Sequence, residues 1–435
     1  VPFIWTSLHT YGGNLGIKGN ISRINDIPFA APPLAPSPAG YDPRTQAVGV
    51  GYTPEGLDQN TAYYELLQEA AFKAAPESNI TEWLVRRAHR RYGLLSPQSL
   101  ELTAAEGDGV RVEGGPAEWK FNSDVARAWA ALGASGYAID KGVGDATGVC
   151  QMDVSAKLTG LDHTTFEPDL HTPAPALCLE RIAWGSLNAA APAIATTTTT
   201  TTTTGSAVVE GTKPLPEPFV YDLVNTAREV LAQLSTPMLL NFSASFDNTS
   251  SGAADTAREI NETGALFIEL LADMDRLLAT DRAFMLGPWL ASARKLGGSA
   301  TDCVGTQIEG DIGHCSDFME WNARAQLTTW YPVIGSASAP MVQQNGRDHD
   351  YARKQWSGIL RDVYIPRAEL YRKQALQDAA AGQPFNATAI DKSYAQLAYK
   401  WQTDYPSTYP TDPVGDPVAV STELFNKYSK YFRAC

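Results

Sequence analysis

Val48-Gly49-Val50-Gly51-Tyr52-Thr53-Pro54-Glu55-Gly56 reads as a short buried strand that ends on a carboxylate. Val48 and Val50 alternate with glycines, and Pro54 closes the ladder because it carries no backbone donor. Glu55 is therefore placed where a strand opens into a loop. In a barrel of parallel strands the loops at that end converge on one mouth, where catalytic groups sit. A solvated turn residue between Pro54 and Gly56 would show the same local pattern, so the rest of the chain has to decide between the two.

Around that stretch, residues 1–59 alternate strand and helix. Phe3-Ile4-Trp5 and Val48-Gly49-Val50 are strand-like; Gly12-Gly13-Asn14, a helix-compatible stretch near Gly16 to Arg23 and a Pro-rich loop from Pro28 to Pro43 separate them. This is the rhythm of two βα units, which cannot close a sheet. If they belong to an eight-stranded barrel of roughly 250 residues, most of that barrel is expected before Val1.

From Asn60 onward the period becomes helical. Asn60 is expected to cap a helix with Tyr63, Leu66, Leu67 and Ala70 on one side, and Thr81 another that closes at Arg90-Arg91-Tyr92-Gly93. Val220, Leu223, Ala227, Val230, Leu231 and Leu234 mark one long helix, and Ile260, Phe267, Leu270, Leu271, Met274, Leu277 and Leu278 a second. Trp289 to Leu296, Met319 to Thr329, Tyr351 to Ala375 and Tyr394 to Trp401 follow the same rule, with Pro366 expected to bend the third of these. The fold class expected is thus α/β plus all-α: βα units over residues 1–75, then an α-helical domain over 76–435. Gly107 to Gly115 interrupts that domain, as does an insertion at about 189–215 with nine consecutive threonines, Thr196 to Thr204, expected to be disordered.

The chain has 435 residues, 44% of them hydrophobic, which suffices for two domains. A formal charge of −14 with scattered lysines and arginines argues against nucleic acid or an anionic membrane as partner. No apolar run approaches the ~20 residues that cross a bilayer. The chain begins at Val1, so either a signal has been removed or this is a piece of something longer. Six of fifteen asparagines, Asn20, Asn79, Asn241, Asn248, Asn261 and Asn386, stand in Asn-x-Ser/Thr sequons against about three expected by chance, which points to a secretory, lysosome-like or vacuolar route. In an oxidising compartment Cys150 could bridge to Cys178 and Cys303 to Cys315, leaving Cys435; reduced, buried thiols are the other reading. Oligomeric state is not fixed by the sequence, and a homo-oligomer is compatible with it.

Pro2-Phe3-Ile4-Trp5, Leu8-His9-Thr10-Tyr11-Gly12-Gly13-Asn14, Thr53-Pro54-Glu55-Gly56 with Gln59-Asn60, Arg90-Arg91-Tyr92-Gly93, Gln326-Leu327-Thr328-Thr329-Trp330 and Asp350-Tyr351-Ala352 with Lys354-Gln355 form an ordered set. In this order the chain resembles the C-terminal half of the α-N-acetylglucosaminidases, glycoside hydrolase family 89, over most of its length. The resemblance implies the C-terminal part of a (β/α)8 TIM barrel followed by a large α-helical domain. It implies a retaining exo-glycoside hydrolase that releases terminal α-linked N-acetylglucosamine, with no cofactor and no metal. Glu55 falls on the family's nucleophile, while the general acid/base lies on an earlier strand, in a missing N-terminal part of the barrel, so the chain alone is expected to be inactive. Trp5, His9, Trp330 and Tyr351 fall on positions that contact the sugar, although a core Trp or a structural His would look the same from sequence. Asp348 departs from the family pattern, standing where an apolar contact is usual.

Two further acidic readings compete. Asp348-His349-Asp350 has the residue types of a metal site, but neighbours on a helix point apart, and a solvated helix start explains the run. Asp58 is explained by the helix dipole beginning at Asn60 rather than as a second catalytic carboxylate. A function of a different class, a noncatalytic glycan-binding or scaffold remnant of the family, remains as the alternative.

Overall fold

Two parallel strands open the chain: β1 (Phe3–His9) pairs with β2 (Ala47–Pro54), with Trp5 opposite Val50 and His9 opposite Pro54. The computed structural model describes residues 3–9, 17, 19–29, 47–54, 60–94, 121–138, 175–195, 197–200, 209–212, 214–247, 252–297, 315–330, 333–336, 339–342, 352–404 and 408–432. A parallel pair needs a crossover, and α1 (Ile21–Asp26) lies in it. Its cap is Asn20, whose side chain accepts the Arg23 N–H, so the helix starts later than the expected Gly16. The β2 ladder does stop at Pro54. Its burial is less than the alternation of valine and glycine suggests: Val50 is half-buried, and Tyr52 and Thr53 are exposed. The reason is that, among the described residues, β2 has a strand on one side only.

Helix follows helix thereafter. α2 (Thr61–Ala70) begins at Asn60, but the Asn60 side chain accepts the Tyr137 hydroxyl at 2.8 Å instead of capping. α3 (Ile80–Arg91) is capped by Asn79, which accepts the Glu82 N–H at 3.1 Å, and not by the expected Thr81. The chain leaves α3 through Gly93 at φ +69°, the left-handed C-terminal position that glycine fills without cost. α4 (Ser123–Ala134), α5 (Pro175–Ile194), α6 (Glu217–Ala244), α7 (Ala253–Leu278), α8 (Leu286–Gly297) and α9 (Cys315–Thr328) continue the order. After them come α10 (Ile365–Ala380), α11 (Ala387–Thr403) and α12 (Pro417–Tyr428).

α6 is the centre of this array. The sequence shows one apolar stripe, yet from Asp222 to Leu239 every side chain except Asn225 is buried, polar ones included. A helix covered on all sides has to satisfy its buried polar groups internally. α5, α7 and α12 pack around it.

The described part of the threonine region is ordered. Residues 189–194, expected within a disordered insertion, are the last turns of α5, with Ala190, Ala191 and Ile194 buried. β3 (Thr197–Thr200) then pairs antiparallel with β4 (Val209–Thr212). β-branched threonine is a strand former as well as a polar residue, and here its branching prevails. Thr196 and Thr201 to Thr204, like Gly107 to Gly115, lie outside the described residues. A second hairpin, β5 (Val333–Ser336) with β6 (Ala339–Val342), follows α9.

The helix expected over Tyr351 to Ala375 is also corrected. Residues 353–356 are non-helical, and the chain turns into a helix at Ile359 through a π-turn over Leu360–Tyr364 before α10. Pro366 is the second residue past that π-turn. Its ring cannot tolerate the carbonyl four residues back in a tight turn, and the widened turn relieves that clash. Tyr351 itself is outside the described residues.

The two parts of the chain are joined by close contacts. The Ile17 N–H donates to Glu229 of α6 at 3.2 Å. The Ile17 carbonyl approaches Gly136 so closely that a Cβ there would stand 2.0 Å from its oxygen. Only glycine admits that approach. Among the described residues no helix is long and apolar enough to cross a membrane.

Candidate active site

The register of β1 and β2 sets the geometry. Because His9 faces Pro54 across the ladder, both strands end together, and Glu55 is the first residue past that end. Glu55 and its neighbour Asp58 are outside the described residues, as are Gly12, Gly13, Asn14, Tyr351 and the run Asp348-His349-Asp350. Trp5 and Ser7 share one face of β1. Trp5 is half-buried against the main core, and the Ser7 hydroxyl shares a hydrogen bond of 2.6 Å with Tyr63 of α2. That bond fixes the strand to the helix following Glu55.

Trp330 comes from a different element. It follows Thr329 at the end of α9, half-buried, with φ +62°. A left-handed backbone costs an L-residue with a side chain about 1–2 kcal/mol, and helices usually assign it to glycine. Surrounding contacts must therefore hold the turn.

Three buried groups on α6 tie the segments around the candidate residues together. Glu229 Oε2 accepts from Ile17 N–H, on the segment after β1, and from Arg228 Nη2 at 2.9 Å. Arg228 Nη1 donates to Gln355 Oε1 at 2.6 Å, four residues past Tyr351. Gln233 donates to both Glu229 and Glu180 of α5. The segment after Tyr351 is held from α7 as well, since Asp275 accepts the Gly358 N–H at 2.7 Å and the Ser357 hydroxyl at 3.3 Å. Nothing in the sequence distinguishes Arg228, Glu229 or Gln233 from a solvated helix face.

Burial pushes the Glu180 carboxyl well above the usual carboxylate range, and the Glu229 charge beside it adds to the push, against the Gln233 hydrogen bond and Arg228. The folded protein thus keeps a proton that the unfolded chain releases above about pH 4.5. The contribution of this group to stability is complete below that pH and falls as pH rises toward the folded value. Glu180→Gln, neutral at every pH, is expected to raise the melting temperature at pH 7.5 and to lose that advantage near pH 4.5. Thermal scans of both proteins across that range would show it. An equal shift at both ends would mean that Glu180 is ionised in the fold.

A second buried cluster joins α2, α3, α4 and α6. Arg87 forks onto Glu65 at 2.6 and 2.7 Å, donates to Thr61, and lies over the Trp129 ring. Asp222 accepts from Tyr92 at 2.9 Å and Arg91 at 2.8 Å, and Trp129 Nε1 donates to the Tyr92 hydroxyl. The Arg90-Arg91-Tyr92-Gly93 motif is therefore structural here. Cys178 and Cys315 are disulfide-bonded, which excludes the reduced-thiol reading for both. Cys150 and Cys303, their expected partners, are outside the described residues, and so is Cys435. Among the described residues no three His, Cys, Asp or Glu side chains are grouped to hold a metal.

Residues 115–427 match the family model described as Alpha-N-acetylglucosaminidase (NAGLU) C-terminal domain, and residues 1–74 match its tim-barrel domain. Alpha-N-acetylglucosaminidase of Homo sapiens is 27% identical over 433 residues, which are 98% of this chain and 45% of that protein. The chain thus spans less than half the length of that relative. A Family 89 Glycoside Hydrolase from Clostridium perfringens, solved in complex with 2-acetamido-1,2-dideoxynojirmycin, superposes with a TM-score of 0.65 at 19% identity, over 98% of this chain and 39% of that one. A Clostridium perfringens structure in complex with its substrate GlcNAc-alpha-1,4-galactose gives a TM-score of 0.64 at 20% identity, again over 98% and 39%. The fold is accordingly the C-terminal part of a TIM barrel followed by a large α-helical domain.

Proposed function

The chain belongs to the alpha-N-acetylglucosaminidase family, and on that premise we propose that it carries the nucleophile strand and helical domain of a retaining exo-glycoside hydrolase acting on terminal, non-reducing α-linked N-acetylglucosamine. The observation that supports this reading is the parallel pair β1–β2, in which His9 stands opposite Pro54, the residue before Glu55 in the chain, because catalytic groups of a barrel follow the C-terminal ends of its strands. Glu55 attacks the anomeric carbon. A second carboxyl about 5–5.5 Å away protonates the departing oxygen and later activates water. That acid/base is supplied by barrel strands outside these 435 residues. Trp5 and His9 border the sugar from the barrel side, and Trp330 and Tyr351 from the helical domain. An indole face suits the C–H groups of a pyranose, while an imidazole or phenol bonds its hydroxyls.

The glycan is the partner in this proposal. The sequon excess and the oxidised Cys178 and Cys315 favour a secretory route with a lysosomal or vacuolar end. The test is covalent trapping. The complete protein, treated with a 5-fluoro N-acetylglucosaminyl fluoride and digested, is expected to carry the sugar on the peptide containing Glu55. A label on another residue would remove Glu55 from the role, and turnover by the 435-residue chain alone would place the acid/base within it.

A further inference from the structure

We infer that Gln402 of α11 is a positioning residue for Trp330, clamping the left-handed turn that presents the indole. Gln402 is wholly buried, and its amide nitrogen donates both protons: to Thr328 Oγ1 at 2.9 Å and to Thr329 Oγ1 at 2.8 Å. Both threonines are buried too, and they are the two residues directly before Trp330. The Thr328 hydroxyl spends its own proton on the Arg324 carbonyl at 2.9 Å, which leaves its lone pairs for the amide. Arg324 in turn donates to the Trp401 carbonyl at 2.8 Å, next to Gln402 in the chain. α9 and α11 are thereby joined at two points just before the turn.

The fit is one of donors to acceptors in a fixed order. Trp330 has φ +62°, a conformation that persists in a non-glycine residue only where neighbours over-determine it. A primary amide is the side chain that can serve two adjacent hydroxyls at once; leucine has the same size and no donor. Loss of the clamp lets the end of α9 relax to an ordinary right-handed turn, and the indole leaves its place with it.

This inference rests on the reading of Trp330 as a sugar contact, and the test separates the two. In the complete protein, Gln402→Leu and Thr329→Val are each expected to lower kcat/KM for an aryl α-N-acetylglucosaminide by on the order of tenfold or more, chiefly through KM, since a contact is misplaced rather than a reacting group removed. Thr329→Ser, which keeps the hydroxyl, should restore most of the loss. In a Trp330→Ala background the effect of Gln402→Leu should vanish. A loss of equal size in that background, or a valine variant that behaves like the serine one, would overturn the clamp while leaving the contact intact. A Trp330→Ala variant with unchanged kinetics would overturn the contact and the clamp with it.

Discussion

Glu55→Gln in the complete protein is expected to abolish measurable hydrolysis of an aryl α-N-acetylglucosaminide, a loss on the order of 10⁴-fold or more, with KM little changed. The amide occupies the volume of the carboxylate and keeps one acceptor oxygen, but it cannot form the glycosyl ester through which retention proceeds. In a Glu55→Ala variant, which vacates the place of the carboxylate, addition of azide is expected to restore turnover with the opposite stereochemical result. The small anion entering that space attacks from the face opposite the α-linked leaving group and yields a β-glycosyl azide. Two outcomes would sink the assignment. Hydrolysis surviving at more than a few per cent would show that another group attacks, and an azide adduct of α configuration would move Glu55 to the acid/base position.

That strand end was readable because its causes are local. Proline lacks a donor wherever it stands, so it closes a ladder whatever packs on the strand. The long helices were readable for a similar reason: apolar residues at 3.6 spacing in α6 and α7 need a common buried face. Errors arose where two candidates were equivalent in sequence. Asn79 and Thr81 are both capping residues in one Asn-Ile-Thr run, and only the backbone shows that Asn79 receives the Glu82 N–H. In the threonine tract polarity favours a loop while branching at Cβ suits a hairpin, and only the pairing of Thr197–Thr200 with Val209–Thr212 decides between them.

The polar interior was the least legible part. Asp222, Arg228, Glu229 and Gln233 lie on what the periodicity makes the outer face of α6, and a solvated helix would carry the same residues. Their burial is decided by α5, the segment at Ile17 and the segment at Gln355, each distant in sequence. Gln402 belongs to this class: a glutamine after Trp401 has no signature until the hydroxyls of Thr328 and Thr329 are brought to it. The candidate site residues could be named from aromatic and acidic types at motif positions, whereas the groups that fix their geometry are visible only in three dimensions.

Arg324→Met is the substitution expected to cost most in stability. Arg324 is wholly buried; its Nε and Nη2 reach Glu320 at 2.8 and 2.5 Å, and Nη1 reaches the Trp401 carbonyl. Its guanidinium also lies 5.0 Å from the Trp401 ring centre and 5.5 Å from that of Tyr409. Removing one partner of a buried ion pair costs about 3–5 kcal/mol because the other charge is left without compensation. Glu320 keeps one cation, Arg294 at 2.7 Å, whose side chain is 37% exposed, so the low end of that range applies. Denaturant unfolding should show a loss of about 3 kcal/mol, little affected by salt because the pair is shielded from solvent. Arg324→Lys should recover only part, since an ammonium cannot fork onto the carboxylate and reach the carbonyl together. The double replacement Glu320→Leu with Arg324→Met should be less damaging than the single one, because no charge then remains unpaired. A single-variant loss below about 1 kcal/mol would mean that Arg294 alone neutralises Glu320. The Arg324 guanidinium also holds the Trp401 carbonyl, next to Gln402, so the same variant should loosen the join between α9 and α11 and raise KM.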